Sequence, residues 1–91
     1  MTCNKVYIFH ADNARFSGGV FTTLESADKW ICENNLFGVL TVYPLDTGVY
    51  EWAIKNGKFT PTKDEHKEPS FIGGFTSAYQ EHYHYENETG S

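Results

Sequence analysis

Basic residues are scarce in this chain. Seven Lys and Arg stand against twelve Asp and Glu in 91 residues, for a net charge of -5. That excludes nucleic-acid backbone as the main partner, because phosphate binding needs a basic face. Long apolar runs are lacking: none approaches the roughly 18 residues a membrane span requires. Met1 to Lys5 show no charged stretch leading into an apolar block, so no secretory signal is expected. Cysteine is limited to Cys3 and Cys32, outside any CxxC spacing. We expect two reduced thiols and a cytoplasmic setting, a disulfide requiring the first strand to start beside the end of the first helix. The sequon Asn87-Glu88-Thr89 is expected to stay empty. Three Pro and eight Gly exclude a collagenous chain.

What is present is an ordinary globular mix, 40% hydrophobic and 21% charged. A chain this long buries roughly two thirds of its unfolded surface without metal or disulfide staples. We expect one domain over residues 1–91, with its core at about 5–86 and a flexible tail at 87–91.

Residues 5–11 read as a strand rich in β-branched and aromatic side chains, with Val6, Ile8 and His10 on one face and Tyr7, Phe9 and Ala11 on the other. A loop follows from Asp12 to Gly19, and Val20-Phe21 forms a short strand that pairs back as a hairpin. Thr22 with Glu25 matches a capping box, opening a helix whose stripe is Leu24, Ala27 and Ile31, with Trp30 beside it. Asn34-Asn35 and Gly38 end it. Residues 39–43 are a strand stopped by Pro44. Asp46, Thr47 and Gly48 supply a turn and a cap for a second helix over Val49 to Asn56, with Gly57 as its left-handed end. Its apolar residues occupy most of the circumference, which predicts packing on more than one neighbour. Lys58 to Ser70 reads as a solvated connection, and Phe71 to Phe75 as the return to the core. Residues 80–86 alternate strictly and read as a strand, with Glu81, Tyr83 and Tyr85 facing one way and His82 and His84 the other. The fold class is α+β: a small two-layer sandwich in β-β-α-β-α-β order, its sheet mixed or antiparallel, with helices on one face. The segment between the strands that flank the first helix is long enough for a crossover.

Three constellations could carry chemistry. His10, Asp12, His82 and His84 would converge as nitrogen and carboxylate ligands for zinc or another first-row metal if the first and last strands were neighbours. Arg15 in the Asp12-Asn13-Ala14-Arg15-Phe16 loop could clamp a carboxylate or phosphate, with His10 and Asp12 as acid and base. The bland alternative is a turn built on Asp12 or Asn13, with Arg15 paired to an acid. The third is aromatic. Seven Phe, two Trp and six Tyr are many for so small a chain. Trp30, Trp52 and most Phe are expected in the core. Tyr79, Tyr83 and Tyr85 with Glu81 and Glu86 make an acidic, tyrosine-rich strand suited to an interface or to edge pairing with a partner. No GxSxG, no Cys–His arrangement and no phosphate-cradling glycine loop signals an enzyme, and no cofactor is called for beyond the metal alternative.

The strings FHADNARFSGGVFTTLESADKWI, LTVYPLDTGVYEWAIKNGKF and FTSAYQEHYHYE resemble a family of small uncharacterised bacterial proteins. Its pattern runs FHxDNARFxxGVF, YPxDxGVYxWAI and EHYHYE and covers Tyr7 to Glu86. The pattern has Gly where Ala11 stands and Pro where Ser17 stands, differences confined to loop geometry. The resemblance implies a stand-alone intracellular bacterial domain whose polar residues of interest are His10, Asp12, Asn13, Arg15, Glu81, His82 and His84. It brings no agreed activity.

The leading expectation is a small acidic cytoplasmic protein acting through protein contacts or self-association, in one version an immunity or antitoxin-like protein masking a basic surface. Its contact residues would be His10, Asp12, Asn13, Arg15, Glu81, Tyr83 and Tyr85. The alternative is a small-molecule or metal-binding domain built on the His10, Asp12, Arg15, His82 and His84 cluster.

Overall fold

Residues 4–86 are described by a computed structural model. Cys3, the sequon at 87–89 and the tail expected at 87–91 lie outside them. The alternating segment Lys5–Ala11 forms β1, and the chain returns through β2, Gly19–Phe21, in an antiparallel hairpin that sets Ile8 opposite Val20 and Phe9 opposite Gly19. Helix α1, Leu24–Glu33, leads to β3, Gly38–Pro44, which lies along β1 from Lys5 opposite Pro44 to Ala11 opposite Gly38. The last strand, β4 at His82–Tyr85, pairs antiparallel with β3. The sheet order is β2-β1-β3-β4. Since β2 and β3 both run opposite to β1, they are parallel to each other, and α1 makes the expected crossover past β1.

The described residues fall into two compact units: 4–45 with 80–86, and 46–79. In the first, α1 sets Ala27 and Ile31 against Tyr7, Phe9 and Leu40, with Trp30, Tyr83 and Tyr85 packed around them. Phe9 is the pivot, edge-on to Trp30 at 5.8 Å and to Tyr85 at 6.4 Å. The face carrying Val6, Ile8 and His10 points away from α1, as the alternation predicts.

The helix cap falls one residue later than the sequence suggests. Thr23, not Thr22, is the N-cap: its hydroxyl accepts from the Ser26 amide at 3.1 Å, and the Ser26 hydroxyl lies 3.1 Å from the Thr23 carbonyl. Beginning at Leu24 keeps Ala27 and Ile31 centred on the core, which selects between two adjacent threonines. Thr23→Ala should cost about 1 kcal/mol in urea unfolding, whereas Thr22→Ala should cost no more than about 0.3. Equal effects would contradict the assigned cap.

The second unit refines the reading of residues 58–75. After a turn with Asp46 at φ 59, Gly48 caps α2, Val49–Lys55, and Gly57 takes the expected left-handed φ of 71. The connection is solvated as expected, with Lys63, Asp64, Glu65, Lys67 and Glu68 exposed, but it is not structureless: it holds a 3-10 helix, Asp64–Lys67, and α3, Pro69–Gly73. Phe71 and Phe75 join Phe59, His66 and Tyr50 in an aromatic cluster of this unit, with Phe59–Phe75 at 4.9 Å and Phe59–His66 at 5.2 Å. His66 Nδ1 accepts the amides of Thr62 and Lys63, so a charged run acquires order from a ring that stacks and accepts at once. On α2, Tyr50 and Ala53 are buried, Trp52 is half-buried and Ile54 is exposed, so its apolar circumference is only partly covered. No described helix is long and apolar enough to cross a membrane.

Candidate functional site

The loop between β1 and β2 is held firmly. Ala14 N–H donates to the Ala11 carbonyl at 3.1 Å, closing a turn whose third residue, Asn13, has φ 62. Asn tolerates that left-handed backbone better than other side-chain-bearing residues. Asp12 N–H reaches the Phe37 carbonyl at 3.0 Å, and Gly18 N–H reaches the Phe9 carbonyl at 2.9 Å. His10 adds a side-chain tie, its Nε2 lying 2.6 Å from the Ala14 carbonyl. A carbonyl only accepts, so Nε2 carries the proton there. His10 therefore braces the loop.

What the loop presents is Arg15 and Phe16. Phe16 is 77% exposed, and the Arg15 guanidinium stands 5.9 Å from its ring centroid. The ion pair between described residues is Lys29 with Glu33, and Arg15 has no acid partner among them. The expected pairing of Arg15 with a nearby acid is thus not what forms. Val20 on the edge strand β2 is also 62% exposed. The sequence singles out Arg15, Asp12 and Asn13, and places Phe16 in the same loop and Val20 in the short strand without assigning either a contact role. An aromatic residue inside a turn-rich segment was the available signal.

The converging metal cluster meets a correction. β3 lies between β1 and β4, so the first and last strands are not neighbours. His10 and His84 do share one row of the open face, both opposite Val39, but the row places them two strand spacings apart, about 10 Å. Asp12 sits beyond the strand in the turn. Among the described residues no group of three or more His, Cys, Asp or Glu side chains is placed to hold a metal ion. His82 and His84 do come together, exposed and edge-to-face with ring centroids 5.1 Å apart. His82 Nδ1 donates to the Gln80 carbonyl at 2.8 Å.

Tyr83 and Tyr85 turn toward the α1 side of the sheet and are half-buried. The Tyr85 hydroxyl donates to Asp28 on α1 at 3.0 Å, tying β4 to the helix. Burial, then the Asp28 carboxylate, pushes the Tyr85 hydroxyl up to about 12. Tyr83 donates to Glu81, the residue just before β4, and that bond raises its ionisation range as well. These two tyrosines form a ladder over the core with their hydroxyls engaged. Tyr79 belongs to the second unit, exposed with the Lys58 ammonium 4.9 Å from its ring centroid.

An open cleft of about 340 Å³ lies between the end of α1 and β4, where Cys32, Leu36, Phe37, His84, Tyr85 and Glu86 meet. Cys32 is an exposed free thiol.

A protein-family model described as a domain of unknown function, DUF7710, matches residues 6–91. No curated protein matches the chain, and no solved structure does.

Proposed function

From the premise that the chain belongs to the DUF7710 family of domains of unknown function, we propose a small binding protein that works through protein contacts. The observation behind this reading is the Arg15–Phe16 pair. An exposed phenyl ring and an arginine that has no acid partner among the described residues sit on a loop tied by three backbone bonds and by His10. Aromatic and arginine side chains are enriched at interface centres. A loop already fixed before binding loses less freedom on association. Asp12 and Asn13 flank the pair with polar groups, as the rim of an interface would.

The concrete form we favour is an immunity or antitoxin-like protein, in the cytoplasm of a bacterium, that masks a basic partner. The support is the net charge of -5, together with Glu81 and Glu86, both exposed beside β4. Such a field steers a cationic partner inward, after which the Arg15–Phe16 pair would settle the register.

The test uses the full chain as bait in lysate of its own organism, beside Phe16→Asp and Glu81→Lys/Glu86→Lys. The expected result is one protein recovered in stoichiometric amount by the wild type. Phe16→Asp should bind it roughly 30-fold more weakly, the effect of losing about 2 kcal/mol at an interface hot spot. The double charge reversal should slow its association. Equal capture by wild type and Phe16→Asp would dispose of this reading, and so would recovery of no stoichiometric protein.

A further inference from the structure

We propose that β4 is the joining edge of a zinc-dependent dimer, in which His82 and His84 of two chains close around one ion. This surface lies on the edge of the sheet opposite β2 and is independent of the Arg15–Phe16 loop.

Among the described residues, β4 has β3 on one side and no strand on the other. Val42 N–H donates to the Glu81 carbonyl at 2.9 Å, so Glu81 faces β3. In an antiparallel ladder the bonded residues alternate. Tyr83 and Tyr85 therefore direct their backbone groups at β3, while His82 and His84 direct theirs outward, in position to continue the sheet. Such an edge invites another strand. If β4 pairs antiparallel with β4 of a second copy about Tyr83, His82 falls opposite His84 of that copy, and the reverse.

All four imidazoles then share the open face. Directly opposite Cβ atoms are about 5 Å apart, and residues two along a strand about 7 Å apart. Four imidazoles at the corners of that rectangle can reach one central ion. Within the chain the two rings already approach at 5.1 Å instead of splaying. The His82 bond to the Gln80 carbonyl matters here. Donation from Nδ1 leaves the Nε2 lone pair of the neutral ring directed away, and a ligating histidine characteristically gives its other N–H to a carbonyl or carboxylate. That carbonyl is itself well held, because Gln80 is buried and its Nε2 donates to the Val42 carbonyl at 3.1 Å.

The site is incomplete in one chain. Two histidines do not fill a tetrahedral shell, and His10 stands a further strand away with its Nε2 proton given to Ala14. Charge also explains why a cation is needed. Each copy carries -5, and Glu81 and Glu86 flank β4, so two edges approaching alone repel. A dication held by four nitrogens offsets that repulsion, and imidazole ligands suit zinc among the first-row ions.

The test is sedimentation velocity and native mass spectrometry of untagged full-length protein, with zinc chloride and then with EDTA. Zinc should convert monomer to dimer with one ion per two chains, and EDTA should reverse it. Loss of an outer-sphere partner weakens a metal site by about 10–100-fold. His82→Ala and His84→Ala should each weaken the zinc-driven dimer by at least ~100-fold, while His10→Ala leaves it intact. Cobalt in the wild-type protein should give the strong visible absorption of a tetrahedral nitrogen site, a readout that needs no variant. Zinc held by the monomer, a dimer that persists in EDTA or in His82→Ala, or no zinc-driven dimer at all would each overturn the proposal.

Discussion

Phe9→Ala should cost about 3–5 kcal/mol, a large share of the roughly 5–14 kcal/mol expected of a chain this size. Phe9 is 1% exposed and sits where three elements meet: β1, which carries it; α1, through Trp30; and β4, through Tyr85. Its strand neighbours are Gly19 on β2 and Leu40 on β3. Gly19 cannot fill the space, since a Cβ there would already press on the Phe21 and Trp30 rings. The cavity would therefore persist and carry its full penalty. Ile8→Ala, one residue along on the open face, should cost less than about 1.5 kcal/mol. Urea midpoints of the two variants provide the comparison. Similar losses would mean that α1 does not cover the Phe9 face.

Gly38→Ala should be nearly as damaging, at about 3 kcal/mol or more. Gly38 is buried at the start of β3, between Ala11 on one side and Tyr85 on the other. A Cβ there would run into the His10 carbonyl and come within 2.7 Å of the Ala11 Cα, and its φ of 158 is one that residues with side chains rarely adopt. The obstructing atoms are backbone, so no rotamer change relieves them. Relief would have to come from parting β1 and β3, the central pair of the sheet. It would also disturb the turn after β1, because Asp12 N–H is bonded to the Phe37 carbonyl next to this glycine. Gly73→Ala, where a Cβ meets nothing within 4 Å, is the control and should change stability by less than about 1 kcal/mol. If the two variants unfold at the same urea concentration, the close approach at Gly38 carries no energetic weight.

Local chemistry was readable along most of the chain. Alternation identified β1 and β4 and sorted Tyr7 and Phe9 from His10, and His82 and His84 from Tyr83 and Tyr85, because a pleated strand has a period of two whatever surrounds it. Helical spacing and turn residues located α1 and α2, and Gly57 took its left-handed backbone because glycine there carries no steric penalty. Where two local solutions were nearly equal, as with Thr22 and Thr23, packing of Ala27 and Ile31 decided. The run from Lys63 to Glu68 is solvated, as its charges predict, with all but His66 exposed, yet it is ordered. Its order comes from His66 against Phe59 and Phe71, contacts made across the sequence.

By itself, then, the sequence determined the α+β class, the faces of its strands and the acidic balance that any partner meets. Strand order was a tertiary decision. Which strand lies between which depends on pairings between distant segments, and nothing in a strand's own alternation names its neighbour. That decision placed β3 between His10 and the His82–His84 pair, left β4 at the edge of the sheet among the described residues, and set Arg15 and Phe16 outward on a braced loop.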